Sequence, residues 1–350
     1  MPVSGGAPGA PAGTDPWEDP YVIVVAGEAL IDLVPDRPGP WAPLHPRPGG
    51  GPYNTALALG RLGSRTAFLS RLSEDGYGTA LLAGLSGAGV DVSGVQRGPE
   101  PTTLALASVA PDGGAGYAFY GEGTADRLFT AADRLPAGTR AVSFGTCSLV
   151  LEPGASAYER VLHRAHRDGV LTVLDPNVRP ALIPDAEAHR ARFRSWLPSV
   201  DLLKLSVEDA RWLGGAPTDW LAAGPAAVVL TRGADGLSVH TRAGEEVRVP
   251  AVRVRVVDTI GAGDTVTAAL LHRLAAHDAL GAGALAAFPR SGWTDVLGFA
   301  ARAAALTCTR RGADAPTAAE VSAPSRLLTS GRWLLGRVVE YPARPRTGES

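Results

Sequence analysis

Short, fully apolar runs alternate along the chain with longer segments whose apolar residues recur at helical spacing. Tyr21–Ala26 (Y-V-I-V-V-A) is apolar at every position and stops at Gly27. Such a run fits a central parallel strand buried on both faces; a half-exposed strand would alternate. Further strand patterns fall at Ala141–Phe144, Val170–Leu174, Asp201–Leu205, Ala226–Leu230, Leu237–His240 and Glu246–Val257. Helical patterns lie between them: from about Asn54 to Leu62, up to about Leu85, over Ala155–Asp168, over Thr265–Ala276 and over Val296–Thr309. Strands alternating with helices, with polar motifs at the strand ends, predict an α/β fold: a mostly parallel sheet covered on both faces.

One region breaks the alternation. Between Pro101 and Tyr120 two alternating runs flank P-D-G-G, a hairpin signal. Runs at 101–110 and 115–122, with short patterns near 32–34 and 41–48, predict a small β-sheet projecting from the main layer as a lid. A lid of this kind covers a ligand and excludes water. Residues 1–20, rich in Pro, Gly and Ala, predict a disordered tail. Residues 21–323 read as one domain and 324–350 as a partly disordered C-terminal extension.

Composition narrows the partners. The 350 residues carry a net charge of −2 and 19% charged residues, which points to neither nucleic acid nor an anionic membrane. Among the 33 basic residues Lys204 is the single lysine, which marks it for attention. Cys147 and Cys308 lie far apart in apolar contexts and read as buried structural thiols. No apolar run reaches membrane-spanning length, and no basic residue precedes Arg37, so a cytoplasmic protein without a signal peptide is expected.

The chemistry concentrates at Val257-Asp258-Thr259-Ile260-Gly261-Ala262-Gly263-Asp264, between a valine-rich strand pattern and a helix. Small residues let the N–H groups of Gly261, Ala262 and Gly263 converge at a helix N-terminus, where an anion is favoured. Asp264, in the first helical turn, stands beside that anion site. A carboxylate there suits taking the proton from a hydroxyl that attacks a γ-phosphate. Asp32 is a charge at the end of an apolar strand, where ligands of open α/β sheets collect, and reads as a substrate-hydroxyl acceptor. The glycine cluster at residues 49–51 lets backbone approach a small ligand, with the Asn54 amide offering donor and acceptor. Neither G-x-G-x-x-G nor a Walker lysine is present, which excludes a dinucleotide oxidoreductase and a P-loop enzyme.

V-D-T-I-G-A-G-D-T resembles the C-terminal signature of the ribokinase-like (PfkB) carbohydrate kinases, and R-P-G-G-G-P-Y-N resembles their N-terminal one. The phrase F-Y-G-E-G-T-A-D at 119–126 is similar to the fructokinase-like branch. The resemblance spans roughly residues 21–320. It implies a ribokinase-like three-layer sandwich with a small β-sheet lid, and an ATP-dependent sugar kinase using Mg²⁺ and K⁺. It implies sugar contacts at Asp32, Gly50, Gly51, Asn54, Arg179 and Asp264, and nucleotide contacts at Thr231, Gly233 and Gly236 beside Gly261 and Gly263. K-L-S-V-E-D resembles the element that orders water around Mg²⁺, with Ser206 where Asn is common and Asp209 where Glu is usual; Glu208 is the alternative holder. Lys204 reads either as a phosphate contact or as a strand-end lysine facing solvent. Asp258, Ile260 and Gly312 match the family's monovalent-cation loop. The expected partners are a small sugar and ATP, with a homodimer through the lid. Fructose comes first as substrate. A 2-keto-3-deoxygluconate kinase stays open through Arg179, against which Asp32, Asp264 and Glu122 at the pocket mouth count. Ribokinase or nucleoside kinase activity, and a non-catalytic sugar-sensing regulator, are the further alternatives.

Overall fold

A computed structural model describes residues 21–323 apart from 38, 40, 110–114 and 132–133. The expected tail, the C-terminal extension and the P-D-G-G turn lie outside the described residues. In chain order the elements are β1 (Val22–Ala26), β2 (Leu30–Pro35), β3 (Leu44–Gly49), α1 (Gly51–Arg61), β4 (Thr66–Leu69), β5 (Arg71–Ser73), α2 (Gly76–Gly87), β6 (Gln96–Gly98), β7 (Leu104–Val109), β8 (Ala115–Tyr120), β9 (Thr139–Gly145) and α3 (Gly154–Arg167). There follow β10 (Leu171–Asp175), α4 (Ala186–Trp196), β11 (Leu202–Ser206), α5 (Val207–Leu213), α6 (Pro217–Ala223), β12 (Ala227–Thr231), β13 (Leu237–Thr241), β14 (Glu246–Val249), α7 (Ala262–Ala276), α8 (Arg290–Cys308) and α9 (Ala318–Ser322).

The main sheet runs β14-β13-β12-β11-β10-β9-β1-β4. From β4 to β12 all pairs are parallel, and β13 and β14 close one end as antiparallel strands. The pleat explains the unbroken apolar runs. In β1, Ile23 and Val25 pack into the core on one face with α1, α7 and α8, while Val24 and Ala26 pack with α3 and α4 on the other. Each fully buried aliphatic side chain contributes roughly 1.5–3 kcal/mol, so a strand apolar on both faces forces two covering layers. The result is the three-layer ribokinase-like sandwich.

β2, β3, β7 and β8 form the separate small sheet, in the order β3-β2-β7-β8, with β7 and β8 antiparallel. β2 is joined to β1 by three residues, so the lid is anchored to β1, next to the edge strand β4 of the main sheet, and Asp32 sits on a lid strand.

The expected strand to Val257 ends at Val249. Pro250 has no N–H to donate to a ladder, and Ala251–Val257 is irregular backbone. Helices α1, α7 and α8 start earlier than their periodicity suggests. α1 begins at Gly51 because Pro52 fits its first turn, and α8 begins at Arg290, directly after Pro289.

Candidate active site

α7 opens on Gly261, at φ 76. A Cβ there would stand 2.5 Å from that of Ala313, so both the left-handed backbone and the space demand glycine. Among the described residues no side chain caps this helix; the Ala262 amide donates to the Thr259 carbonyl at 3.2 Å, and the helix dipole favours an anion at this end. A Cβ at Gly263 would meet Lys204 Nζ at 3.2 Å, which puts a buried ammonium behind the turn. Lys204 does not face solvent. It is 3% exposed on β11, between β10 and β12, and donates to Asp175 Oδ2 at 2.7 Å. Burial alone would pull its pKa down; the Asp175 carboxylate outweighs that and holds the ammonium above its usual range. Thr267 Oγ1 donates to the same Asp175 oxygen at 3.0 Å.

Asp264 is buried, and its Oδ2 accepts from Asn54 Nδ2 at 2.8 Å. Burial raises its carboxyl to about 6, against the pull of the Asn54 hydrogen bond. Gly51, opposite, has no room for a side chain: a Cβ would stand 2.4 Å from Thr146 Oγ1 and 3.3 Å from Asp264 Oδ1. Asp32 is likewise raised to about 6 by burial, opposed by the charge of Arg179. Arg179 Nη1 donates to Asn177 Oδ1 at 2.7 Å and to the Asn177 carbonyl at 3.0 Å, which holds its head in place.

These groups enclose a polar cavity of about 270 Å³, lined by Asp32, Gly50, Gly51, Asn54, Arg179, Gly261, Gly263 and Asp264. Every residue expected to contact sugar is there. Glu28, Thr146, Cys147 and Tyr117, which no motif had marked, also line it, as does Phe119 from the F-Y-G-E-G-T-A-D phrase. Glu28 is the largest omission: burial raises its carboxyl to about 7. It directly follows the glycine that ends the first apolar run, a signal that Asp32 had drawn to itself. Cys147 is a cavity residue as well as a buried thiol. Glu122 is exposed and does not line the cavity, because β8 ends at Tyr120 and the chain turns outward.

A second cavity, about 540 Å³, lies on the other side of the α7 turn. Thr231, Gly233 and Gly236 line it as expected, together with Val252, Val256, Ala301, Ala304, Ala305 and Cys308. Thr259 and Gly263 line both cavities, so the N-terminus of α7 is their common wall.

The other expected contacts are engaged elsewhere. Ser206 caps α5, its hydroxyl and amide donating to Asp209 Oδ2 at 2.7 and 3.0 Å, and Asp209 Oδ1 accepts from the Val178 amide at 2.8 Å. Both Asp209 oxygens therefore hold backbone, and Glu208 faces solvent. Asp258 joins two loops, accepting from the Ile260 amide at 3.0 Å and the Gly312 amide at 2.8 Å. Among the described residues no three His, Cys, Asp or Glu side chains gather as a metal cage. No helix there is long and apolar enough to cross a membrane.

Known proteins share this arrangement. Residues 22–320 match the model of the pfkB family carbohydrate kinases. A fructokinase of Rhizobium leguminosarum bv. trifolii is 41% identical over 262 residues, covering 72% of this chain and 79% of that protein. The structure of Xylella fastidiosa fructokinase with bound ATP superposes with a TM-score of 0.76 at 30% identity, over 86% of this chain and 96% of that one. The structure of Vibrio cholerae O395 fructokinase, in fructose, ADP and calcium ion bound form, gives 0.73 at 25%, over 87% and 98%. With nearly all of residues 21–323 inside the matched span, and both signature turns meeting at one wall, the chain belongs to the pfkB family of carbohydrate kinases.

Proposed function

We propose that this kinase transfers the γ-phosphate of ATP to a hydroxymethyl group of a neutral sugar, fructose first, with Asp264 as general base. The observation that carries this reading is the placement of Asp264: on the polar side of the wall that separates the two cavities, beside an uncapped helix N-terminus. A sugar in the polar cavity reaches Asp264, while a nucleotide in the apolar cavity brings its phosphates to Gly261–Gly263. The base lies against backbone at Gly233 and Gly236. Asn54 holds the Asp264 carboxylate so that its other oxygen can take the hydroxyl proton as the phosphoryl group leaves ADP. Lys204, fixed by Asp175, puts positive charge behind the cradle, where negative charge shifts during transfer. The relatives named above, fructokinases with ATP, fructose or ADP bound, support the choice of sugar and donor.

Mg²⁺ is expected to arrive on the nucleotide phosphates, as is usual for an ion that keeps most of its own water. Asp209, with both oxygens on backbone amides, and the exposed Glu208 fit at most the outer-shell, water-ordering role expected of them. The Asp258–Ile260–Gly312 loops fit a K⁺ that braces the cradle through carbonyl oxygens. The exposed Trp41, Leu44 and Tyr120 on or beside the lid make it the expected dimer face, which light scattering tests.

Arg179 in the polar cavity favours one second reading, a sugar acid such as 2-keto-3-deoxygluconate. Three carboxyls, Glu28, Asp32 and Asp264, line the same space and disfavour an anion. ADP release measured across ketoses, aldoses, nucleosides and sugar acids decides between them. Fructose is expected to give the highest kcat/KM. A higher value for the sugar acid, lost in Arg179→Ala, would replace the fructose assignment.

A further inference from the structure

Glu28 lies in the connection between β1 and β2, is 2% exposed and lines the polar cavity. Its Oε2 accepts from the Ser148 amide at 3.0 Å and from the Ser148 hydroxyl. Its own amide donates back to Ser148 Oγ at 2.7 Å. Two residues 120 apart in sequence are thus latched in both directions. Among the described residues Glu28 Oε1 is buried without a hydrogen-bond partner.

The latch joins three walls of the cavity. Ser148 belongs to the single turn Thr146–Leu149 that follows β9, and Thr146 and Cys147 on this turn line the cavity. Thr146 has φ 57, a left-handed conformation that a β-branched residue keeps only where its surroundings hold it. Its Oγ1 accepts from Asn177 Nδ2 at 3.4 Å and stands against Gly51. On the other side the chain runs from Glu28 directly into β2 and Asp32. The Glu28 carbonyl also closes on Gly50, where a Cβ would stand 2.8 Å away. A carboxyl in this place is costly: burial raises its pKa, and the buried Asp126 carboxyl nearby adds to the shift. Plain packing would be met by an apolar side chain, which suggests that the hydrogen bonds are what is retained.

We propose that Glu28 is a positioning residue for the sugar. By latching the 146–149 turn onto the β1–β2 connection it holds Thr146 and Cys147 opposite Asp32, and so governs affinity for the sugar and not for the nucleotide. The proposal rests on the polar cavity being the sugar site. None of the latch residues lines the apolar cavity.

The test is the kcat and KM of Glu28→Ala, Glu28→Gln, Ser148→Ala and the Glu28→Ala/Ser148→Ala pair for fructose and for ATP, with melting temperatures. Glu28→Ala is expected to raise the fructose KM about 10- to 100-fold, because it strands the buried Ser148 donors. The ATP KM is expected to stay within about threefold, the signature of a purely sugar-side change. Glu28→Gln keeps an oxygen acceptor for Ser148 and is expected to restore fructose KM to within about threefold. The double variant is expected to be no worse than Glu28→Ala alone, because both changes cut one latch.

A lower melting temperature and kcat at unchanged fructose KM would overturn the proposal, since a merely structural role moves only those. So would a Gln variant as impaired as the Ala variant, because the charge and not the latch would then matter. If Glu28→Ala does not fold, Ser148→Ala decides alone, and an unmoved fructose KM overturns the positioning role. A wild-type protein that turns over no neutral sugar removes the site reading and the positioning role together. Normal wild-type turnover with unmoved KM in the variants removes only the latter.

Discussion

The two cavities on either side of the α7 turn are lined by different chemistry. The smaller is walled by Glu28, Asp32, Asn54, Arg179 and Asp264, each oriented by another residue or by burial. The larger is walled mostly by glycine, alanine and valine, with Thr231, Arg253, Thr259 and Cys308 as its polar and sulfur-bearing members. A site built to hydrogen-bond rejects an analogue that lacks the matching group by about 10⁴–10⁵, whereas an apolar wall discriminates about 10–200-fold per methylene. On the proposed assignment of the cavities, sugar choice rests on the placement of a few polar atoms, and nucleotide affinity on shape and apolar area. Asp264 stands at the border and belongs to the polar side alone.

The strongest way to break this division is Asp264→Asn. Turnover is expected to fall about 10²–10⁴-fold while sugar and ATP still bind, as for loss of a general base. Turnover within about threefold of wild type would remove Asp264 from the chemistry.

Two space-filling changes sharpen it. Gly51→Ala puts a methyl 2.4 Å from Thr146 Oγ1 and is expected to raise the sugar KM with ATP binding intact. Ala304→Leu fills the apolar cavity and is expected to do the reverse. Overpacking costs about 1–3 kcal/mol, so each KM should move by roughly one to two decades. If both changes move both KM values equally, the cavities are not separate sites.

The pH dependence comes next. Burial raises Asp264 to about 6, and a base works only when ionised. kcat is therefore expected to fall as pH drops through about 6, by about tenfold per further unit. An acid limb near the ordinary carboxyl value of about 4 would show that the side chain is more solvated than the structure places it. For stability the sign reverses. Glu28, Asp32 and Asp264 are all raised, so their contribution is fully present below their unfolded values and is lost as pH rises through about 6 to 7. Acid denaturation profiles of variants neutral at these positions check this.

The smallest expected effect is ionic. K⁺ is expected to raise turnover over a bulky organic cation at fixed ionic strength, through the loops that Asp258 joins. Equal rates in K⁺, Na⁺ and the organic cation would leave Asp258 as a structural clamp only.

Much of this was legible in the sequence because the signals are local. Gly261–Asp264 reads as an anion cradle with a carboxylate because turn, helix start and acid lie within four residues. Gly50, Gly51 and Asn54 share one helix start, and Asp32 is the one charge in an apolar run, although it falls mid-strand on β2 and not at a strand end. The β7–β8 hairpin announces itself by alternation about a Gly-rich turn. Even the layer order follows from strands apolar on both faces, which can be satisfied only by two covering layers.

What only the tertiary structure decided depends on pairs distant in the chain. Glu28 becomes a site residue because β1 and β9 are neighbours in the sheet and bring Ser148 to it. Lys204 is buried because Asp175, at the end of the adjacent strand, compensates its charge; its own segment reads equally well as solvent-facing. Asp209, expected to order water around Mg²⁺, also reaches back to the Ser206 cap of α5 and clamps the Val178 amide, partners set by the fold and not by the motif. The apolar wall at Ala301, Ala304 and Ala305 carries no motif: an alanine contributes to a cavity only through where the backbone of α8 happens to pass. Periodicity and turn chemistry are properties of neighbours in sequence. Burial, charge compensation and cavity shape belong to neighbours in space, and they exist only once the sheet order is set.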